Sequence, residues 1–166
     1  WGYEAVFEMS NKGIVNGFEQ SQFKPNELIT RAQLAVILNR ELKLTAKKPA
    51  TFSDVSKTSS SYQAIAALQE AGIITGFSNG TFQPNEPVTR GQMAIILQRA
   101  YKFTDNQVKA ANQAEFSDVP ADHSAYEAVQ LLRANGITNG YPDGTYQPDE
   151  YTSRIEFTVF LYRTIK

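Results

Sequence analysis

Three stretches of the chain are apolar on nearly every side: residues 34–38, 93–97 and 157–161. A helix that is apolar all round is a buried helix. Each stretch follows a Thr or Ser with a Gln or Glu three residues further on, the pattern of a capping box at a helix start. These capping residues are Thr30, Thr89 and Ser153. Together the two signals predict buried helices at 31–42, 90–101 and 154–165.

A shorter helix is predicted ahead of each buried one. In the first copy Tyr3, Val6 and Met9 recur at helical spacing, and Tyr62 and Tyr126 open the same pattern in the other copies. These helices are apolar on one side only, so each should lie against another element. A glycine follows each of them, at positions 13, 72 and 136, and a left-handed glycine is a common helix stop.

A loop of about 16 residues joins each short helix to the following long helix. In the second copy Ser78-Asn79-Gly80-Thr81 predicts a tight turn in which Asn-Gly supplies the positive φ angles. Each loop also carries two aromatic residues: Phe18 and Phe23, Phe77 and Phe82, Tyr141 and Tyr146. We expect these rings to pack into the core and hold the loop in place.

The chain is therefore a three-repeat protein, because the same motifs recur from Gly13 to Gly72 to Gly136, at intervals of 59 and 64 residues. We place the repeats at 1–44, 52–103 and 116–166, within one domain spanning 1–166. Units of this size are marginal alone, so they should share one core. Repeats two and three begin with a Phe-Ser-Asp-Val leader, at 52–55 and 116–119. The first repeat lacks it, so we expect the chain to be a fragment that starts inside its first repeat.

The composition excludes several functions. Sixteen basic and 17 acidic residues give a net charge of −1, so no basic field invites nucleic acid or an anionic membrane. There is no cysteine and a single histidine, His123, which excludes a thiolate site and a histidine-rich metal site. Asp143-Gly144 with Asp149-Glu150 is a weak calcium signal, because Ser21 and Asn79 replace Asp143 in the other copies, so we expect no metal and no cofactor. No apolar run approaches the length of a membrane span.

Arg31, Arg90 and Arg154 are the most informative polar residues. Each is the first residue of a predicted buried helix, where the macrodipole disfavours a cation by about 0.3–1 kcal/mol. Two explanations remain open. The arginine forms an ion pair with the glutamate four residues earlier (Glu27, Glu86 or Glu150), or it forms an anion site with free N–H groups of the helix start.

Other residues could share such a site. Gln33, Gln92 and Glu156 complete the capping boxes and could also face a ligand at the same helix mouth. Gly17, Gly76 and Gly140 are required either by a turn or by close approach of a ligand. Trp1 could stack on a sugar ring or be a frayed terminus. The repeated carboxylates lie in turn contexts and do not indicate a catalytic pair, so we expect no enzyme.

The ordered motifs Phe-Ser-Asp-Val, Tyr-x-Ala-(Ile/Val), Gly-Ile-x-x-Gly-(Phe/Tyr), Pro-(Asn/Asp)-Glu and Thr-Arg-x-Gln resemble the S-layer homology (SLH) domain family, in three tandem copies. The resemblance implies an all-α, pseudo-threefold spindle: a central three-helix bundle with three helix-loop prongs and grooves between them. It also implies an extracellular, non-catalytic module that anchors proteins to the bacterial cell wall or S-layer. The expected partner is a secondary cell-wall polymer bearing pyruvylated N-acetylmannosamine, bound by a monomeric pseudo-trimer.

By the same resemblance the groove is lined by the motif arginine (Arg31, Arg90, Arg154), the leader aspartate (Asp54, Asp118) and the glycine at 17, 76 or 140. Trp1 fills the family's aromatic position, which Ser60 and Ser124 occupy in the other repeats. Because of Ser124 and the bulky Ile155, we expect the groove of Arg154 to be a poorer candidate than that of Arg90. Arg31 has no clear rank, because its helix mouth is intact but the first repeat lacks its leader. A protein–protein adaptor and a glycan hydrolase remain as alternative functions.

The anion-site hypothesis predicts that Arg90→Ala melts near the wild type yet binds ligand about ten- to a hundredfold more weakly.

Overall fold

The computed structural model describes residues 1–17, 22–104 and 115–166. Within these ranges the chain forms six helices and no strand: α1 Tyr3–Asn11, α2 Arg31–Leu42, α3 Tyr62–Glu70, α4 Arg90–Tyr101, α5 Tyr126–Ala134 and α6 Arg154–Ile165. The all-α class and the bounds of the three long helices are confirmed. The predicted packing of Phe18 and most of the connector between repeats two and three lie outside the described residues.

The local start and stop signals act as the sequence predicts. The Thr30 hydroxyl accepts a hydrogen bond from the Gln33 N–H at 3.1 Å, and the Gln33 side-chain oxygen accepts one from the Thr30 N–H at 3.0 Å. The same reciprocal box opens α4 and α6. The glycines that follow α1, α3 and α5 have φ angles of 70°, 74° and 74°, so each ends its helix in the left-handed region.

The long loop of repeat two contains the predicted turn. The Phe77 N–H donates to the Thr81 carbonyl at 2.8 Å, and the Gly80 N–H donates to the Phe77 carbonyl at 3.0 Å. Only Gly80 of the Asn-Gly pair has a positive φ, whereas Asn79 supports the turn through its side chain. Phe82 is 1% exposed and confirms the predicted packing, but Phe77 is 39% exposed and that part of the prediction is wrong.

The main helix contacts join successive repeats. Helix α2 packs on α3, α4 packs on α5, and α6 packs on α1. Each long helix therefore contacts the short helix of the following repeat, and the third repeat contacts the first. The contacts form a closed ring of three repeats.

Backbone hydrogen bonds follow the same ring. The first two N–H groups of α2, from Arg31 and Ala32, donate to the carbonyls of Glu86 and Pro84, both at 2.9 Å. Helix α4 makes the same two bonds to repeat three, and α6 makes them to repeat one. Three isolated β-bridges link the segments just before the long helices, one for each pair of repeats.

Both kinds of helix contribute to the core. Buried side chains of the long helices include Leu38, Leu97 and Leu161, and those of the short helices include Met9, Leu68 and Leu132, all fully buried. The short helices are thus part of the packed interior. A common axis for the long helices, with the short ones as prongs, stays a prediction. None of the described helices has the length and apolar character of a membrane span.

Candidate ligand-binding grooves

Three grooves lie at the junctions between repeats, and we name each after its motif arginine. The Arg31 groove is a cavity of about 190 Å³ whose lining includes Arg31, Gly76, Phe77, Gln92, Ile96 and Arg99. The Arg90 groove, about 260 Å³, includes Trp1, Arg90, Gly140, Tyr141, Glu156 and Arg163. The Arg154 groove, about 420 Å³, includes Gly17, Gln33, Arg40, Ser60, Asn85 and Arg154. In each case the motif arginine comes from one repeat and the glycine from the next.

The arginine reaches across because the next repeat supplies its partners. The Nε of Arg31 donates to the Phe82 carbonyl at 2.7 Å, and its guanidinium carbon lies 4.6 Å from the centre of the Phe82 ring. Arg90 makes the same contacts with Tyr146, at 2.8 and 4.5 Å. Arg154 makes them with Phe23, at 3.0 and 5.1 Å. The contact fixes one edge of each guanidinium and combines a hydrogen bond with a cation–π interaction.

The backbone N–H groups expected to bind an anion are not free. The first two N–H groups of every long helix are bonded to carbonyls of another repeat, and the third is bonded to the capping side chain. The expectation of free helix-start donors is therefore wrong. Anion binding in these grooves would have to come from side chains.

The predicted ion pair with the glutamate four residues earlier is also wrong for Arg90. Its Nη1 lies 3.1 Å from Glu156 Oε1, a carboxylate of the third repeat, rather than pairing with Glu86. Burial lowers the pKa of the other two motif arginines, and the negative charge of Asp54 partly offsets this for Arg31, as that of Glu27 does for Arg154. In both cases the carboxylate belongs to the neighbouring repeat. Charge pairing crosses the same junctions as the backbone bonds.

Arg31 is more accessible to a ligand than Arg90 is. It is half-buried, and burial lowers the pKa of its guanidinium, an effect that nearby Asp54 partly offsets. Within the described residues the guanidinium of Arg31 makes one hydrogen bond, from Nε, so both of its terminal nitrogens are left for a ligand. Arg90, by contrast, is 4% exposed and already ion-paired. The burial and the ion pair favour the internal ion-pair explanation for Arg90, with Glu156 in place of Glu86 as its partner, and argue against near-wild-type melting of Arg90→Ala.

The leader aspartates hold the loops. Asp54 accepts hydrogen bonds from the N–H groups of Phe82 and Gln83, both at 2.8 Å. Asp118 accepts the same pair from Tyr146 and Gln147, at 2.9 and 2.8 Å. Neither aspartate is among the residues that line the three cavities. Their assignment as ligand-binding residues stays a prediction.

Gly76 and Gly140 line their grooves and are required by packing. A Cβ on Gly76 would lie 2.3 Å from the Phe52 ring and 2.6 Å from the Thr81 carbonyl. A Cβ on Gly140 would meet Phe116 and Thr145 in the same way. The leader aromatic thus occupies the space that a side chain would need, which supports the turn requirement and leaves close approach of a ligand as a prediction.

Sequence reasoning missed a second arginine in every groove: Arg40, Arg99 and Arg163, all in the last turn of a long helix. Arg163 also donates to the Ile137 carbonyl at 3.0 Å, and Arg40 to the Ile14 carbonyl at 3.4 Å. A fixed spacing in the sequence could have identified them, because each of these second arginines follows the motif arginine of its own repeat by nine residues. Each groove therefore holds two guanidinium groups from two different repeats.

Trp1 and Ile155 both belong to the Arg90 side of the molecule. Trp1 lines the Arg90 groove, and Ile155 packs against Gly2 next to it. The Arg154 groove is bordered by Ser60 instead. The reason given for ranking the Arg154 groove below the Arg90 groove, namely Ser124 and Ile155, is therefore wrong, because neither residue lines the Arg154 groove.

The described residues hold no group of three or more potential metal-ligating side chains of His, Cys, Asp or Glu. All three grooves offer arginine and polar side chains, and the Arg31 and Arg90 grooves also offer aromatic rings. These features define a repeat-built module with a polar groove at each of its three repeat junctions.

The S-layer homology domain model matches residues 1–35, 51–94 and 115–158, most of the chain, and the chain belongs to that family. The family is one of cell-wall anchoring modules that bind cell-wall polymers, so the chain is such a module and is located outside the cell, at the cell surface.

The proteins to which the chain is similar support this family membership. The chain is 31% identical to the S-layer protein sap of Bacillus anthracis, over 100% of this chain and 20% of the relative. It is 34% identical to an endoglucanase of Bacillus sp. (strain KSM-635), over 93% of this chain and 16% of the relative. It is 28% identical to the cellulosome-anchoring protein of Acetivibrio thermocellus, over 92% and 35%. The chain thus spans about a fifth or less of the first two relatives.

Proposed function

We propose that the grooves bind the carboxylates of an anionic secondary cell-wall polymer, most simply the pyruvate ketals of pyruvylated N-acetylmannosamine. The observation that carries this proposal is the pair of arginines in every groove, such as Arg31 and Arg99. Guanidinium groups bind carboxylates through charge-assisted, often bidentate hydrogen bonds. The whole chain carries a net charge of −1, so it has no general attraction for anions. An anion would be attracted locally, at these pairs of arginines.

The rest of the Arg31 groove and of the Arg90 groove suits a sugar. Phe77 in the Arg31 groove and Tyr141 in the Arg90 groove present aromatic surface beside the arginine. The apolar face of a sugar ring can pack on such rings while its hydroxyl groups bond to polar side chains. Asn139, Thr138 and Thr75 supply polar groups of this kind.

The test compares purified pyruvylated wall polymer with the same polymer after mild acid has removed its pyruvate. We expect the chain to bind the first and to bind the second at least tenfold more weakly, because one charge-assisted hydrogen bond contributes about 1.5–3 kcal/mol. Equal binding to both polymers would contradict a carboxylate-directed site. Binding to neither, together with capture of a defined protein partner, would favour the adaptor function.

We also infer that the module itself catalyses nothing. The endoglucanase relative is matched over 16% of its length, which fits an anchor attached to a separate catalytic part. Incubating the chain with the polymer should release no new reducing ends. Release of new reducing ends by the isolated chain would contradict this inference and favour the glycan hydrolase as the function.

A further inference from the structure

Asparagine is followed by glycine four times in the chain, at Asn16, Asn79, Asn135 and Asn139. This dipeptide is prone to spontaneous loss of the asparagine side-chain amide, because glycine has no side chain to hinder attack by its own backbone nitrogen. The attacking nitrogen has to give up its proton first, so a hydrogen bond from the glycine N–H slows the reaction. The four sites therefore differ by what holds each glycine N–H.

Three of the four glycine N–H groups are held. Gly80 donates to the Phe77 carbonyl at 3.0 Å, Gly136 to the Arg133 carbonyl at 3.1 Å, and Gly140 to the Thr138 hydroxyl at 3.1 Å. Each of these hydrogen bonds has to break before the glycine nitrogen can react.

The fourth glycine, Gly17, is different. Its N–H makes no hydrogen bond within the part of the chain that the structure describes, and both Asn16 and Gly17 are exposed. The cause is a single side chain, because Val15 occupies the position two residues before Gly17 where Thr138 precedes Gly140. Asn16 accepts a hydrogen bond at its carbonyl from Arg154 Nη2, at 3.2 Å, and its side-chain amide is bonded to none of the described residues.

We infer that Asn16–Gly17 is a deamidation site in the wall of the Arg154 groove, which both residues line. The Gly17 nitrogen, after giving its proton to water, attacks the Cγ carbon of Asn16. The bond from Cγ to the side-chain nitrogen breaks, ammonia leaves, and a five-membered succinimide remains. Water then adds to one of the two ring carbonyls and opens the ring, which gives isoaspartate or aspartate. No oxidant, reductant or other reactant is needed.

Either product adds a carboxylate to a groove that has none. The charged side chains that line the Arg154 groove are Arg40 and Arg154, without an aspartate or a glutamate. The new carboxylate forms at the residue that Arg154 already contacts, so it offsets part of the positive charge of the groove. The Arg31 groove has Thr75–Gly76 at the corresponding positions and cannot change in this way. The grooves would thus become less alike as the molecule ages.

The rate at each site can be measured by peptide mapping with mass spectrometry. The folded chain is incubated in mildly alkaline buffer and sampled over time. We expect Asn16 to react about two- to tenfold faster than Asn139, the range to which one net hydrogen bond corresponds. The same chain in concentrated urea is the control. No folded structure holds a glycine N–H there, so Asn16 and Asn139 should react at similar rates.

The variants Thr138→Val and Val15→Thr test the cause. Valine and threonine have nearly the same shape, and both positions are buried, with exposures of 2% for Thr138 and 1% for Val15. Thr138→Val should raise the rate at Asn139 close to that at Asn16, and Val15→Thr should lower the rate at Asn16 about two- to tenfold. Thermal melts verify folding. If Val15→Thr, which buries a new hydroxyl, does not fold, Thr138→Val alone decides the question.

Three results would overturn the inference. The first is a rate at Asn16 in the folded chain that does not exceed the rate at Asn139, including no reaction at all while the chain in urea reacts. The second is the same difference between the two sites in urea, and the third is an unchanged rate at Asn139 in Thr138→Val. None of these measurements uses a ligand, so the proposed function of the grooves is tested separately.

Discussion

Single residues at equivalent sequence positions have unequal surroundings in this molecule. Arg31 and Arg90 each begin a long helix and each bond through Nε to an aromatic residue's carbonyl in the next repeat. Only Arg90 is fully buried and paired with a carboxylate. The two residues therefore balance ligand binding and stability differently.

Replacing Arg90 by alanine should destabilise the fold by about 1–3 kcal/mol, because Glu156 loses its cation and the Tyr146 carbonyl loses its donor. Arg31→Ala removes one hydrogen bond and should cost less, about 0.5–1.5 kcal/mol. Urea denaturation of both variants measures the difference. Equal losses would show that the Arg90–Glu156 pair adds nothing to stability.

Asp54 gives the fold a defined acid sensitivity. Burial by itself raises the pKa of this carboxyl, but the N–H groups of Phe82 and Gln83, with Arg31, more than offset it and lower the pKa below its ordinary value of 3.8. The unfolded chain therefore binds a proton at a higher pH than the folded chain does. The stabilisation from Asp54 is complete above pH 3.8 and is lost as the pH falls through the lower, folded-state pKa.

Asp54→Asn should accordingly show a smaller loss of unfolding free energy than the wild type when the pH is lowered from 5 to about 2. The measurement is a series of urea titrations at fixed ionic strength. Ser53→Ala, a neighbouring exposed position without a titrating group, is the control. An unchanged acid dependence in Asp54→Asn would contradict the assignment.

At the scale of elements, the long helices could be predicted to the residue, because their signals are local. Thr89 and Gln92 cap α4 from within four consecutive positions, and the left-handed Lys102 follows its end. The composition of the grooves could not be predicted in this way. Arg31 meets Phe82, which is 51 residues away, and nothing near Arg31 in the sequence identifies that partner. The same reason explains why the glutamate four residues earlier was the wrong partner for Arg90.

The capping boxes should each contribute measurably. Thr89→Ala removes the acceptor of the Gln92 N–H and should destabilise the chain by about 1 kcal/mol. Thr89→Ser keeps the hydroxyl and should change the free energy of unfolding by about a few tenths of a kcal/mol. Thermal melts followed by circular dichroism distinguish the two. An alanine variant as stable as the serine variant would show that the N–H finds water instead.

At the scale of the whole molecule, every repeat depends on another. The first N–H groups of α4 are bonded to carbonyls at Glu150 and Pro148, and α5 covers the face of α4. The ring also closes within one chain, which supports our proposal that the module is monomeric. Light scattering at micromolar concentration should give a mass near 18.5 kDa.

Removing the third repeat should abolish cooperative folding. A chain of residues 1–104 leaves the start of α4 without its acceptors and exposes apolar side chains of α1 that α6 covers. The intact chain should melt in one transition, with ellipticity and tryptophan fluorescence coinciding, whereas the shortened chain should melt broadly or not at all. A sharp transition in the shortened chain would show that two repeats suffice.

The closed ring of contacts has a consequence for chain order. Lys166 Nζ lies 3.6 Å from Glu4 Oε1, so the two ends of the chain are neighbours. A short linker could join them, and new termini could be opened in the exposed stretch at Lys47–Lys48 between α2 and α3. Such a circular permutant would begin with the second repeat and finish with the first, yet every groove would still be assembled from the same two repeats. The order of the three repeats along the chain can therefore change without changing which repeats contact one another.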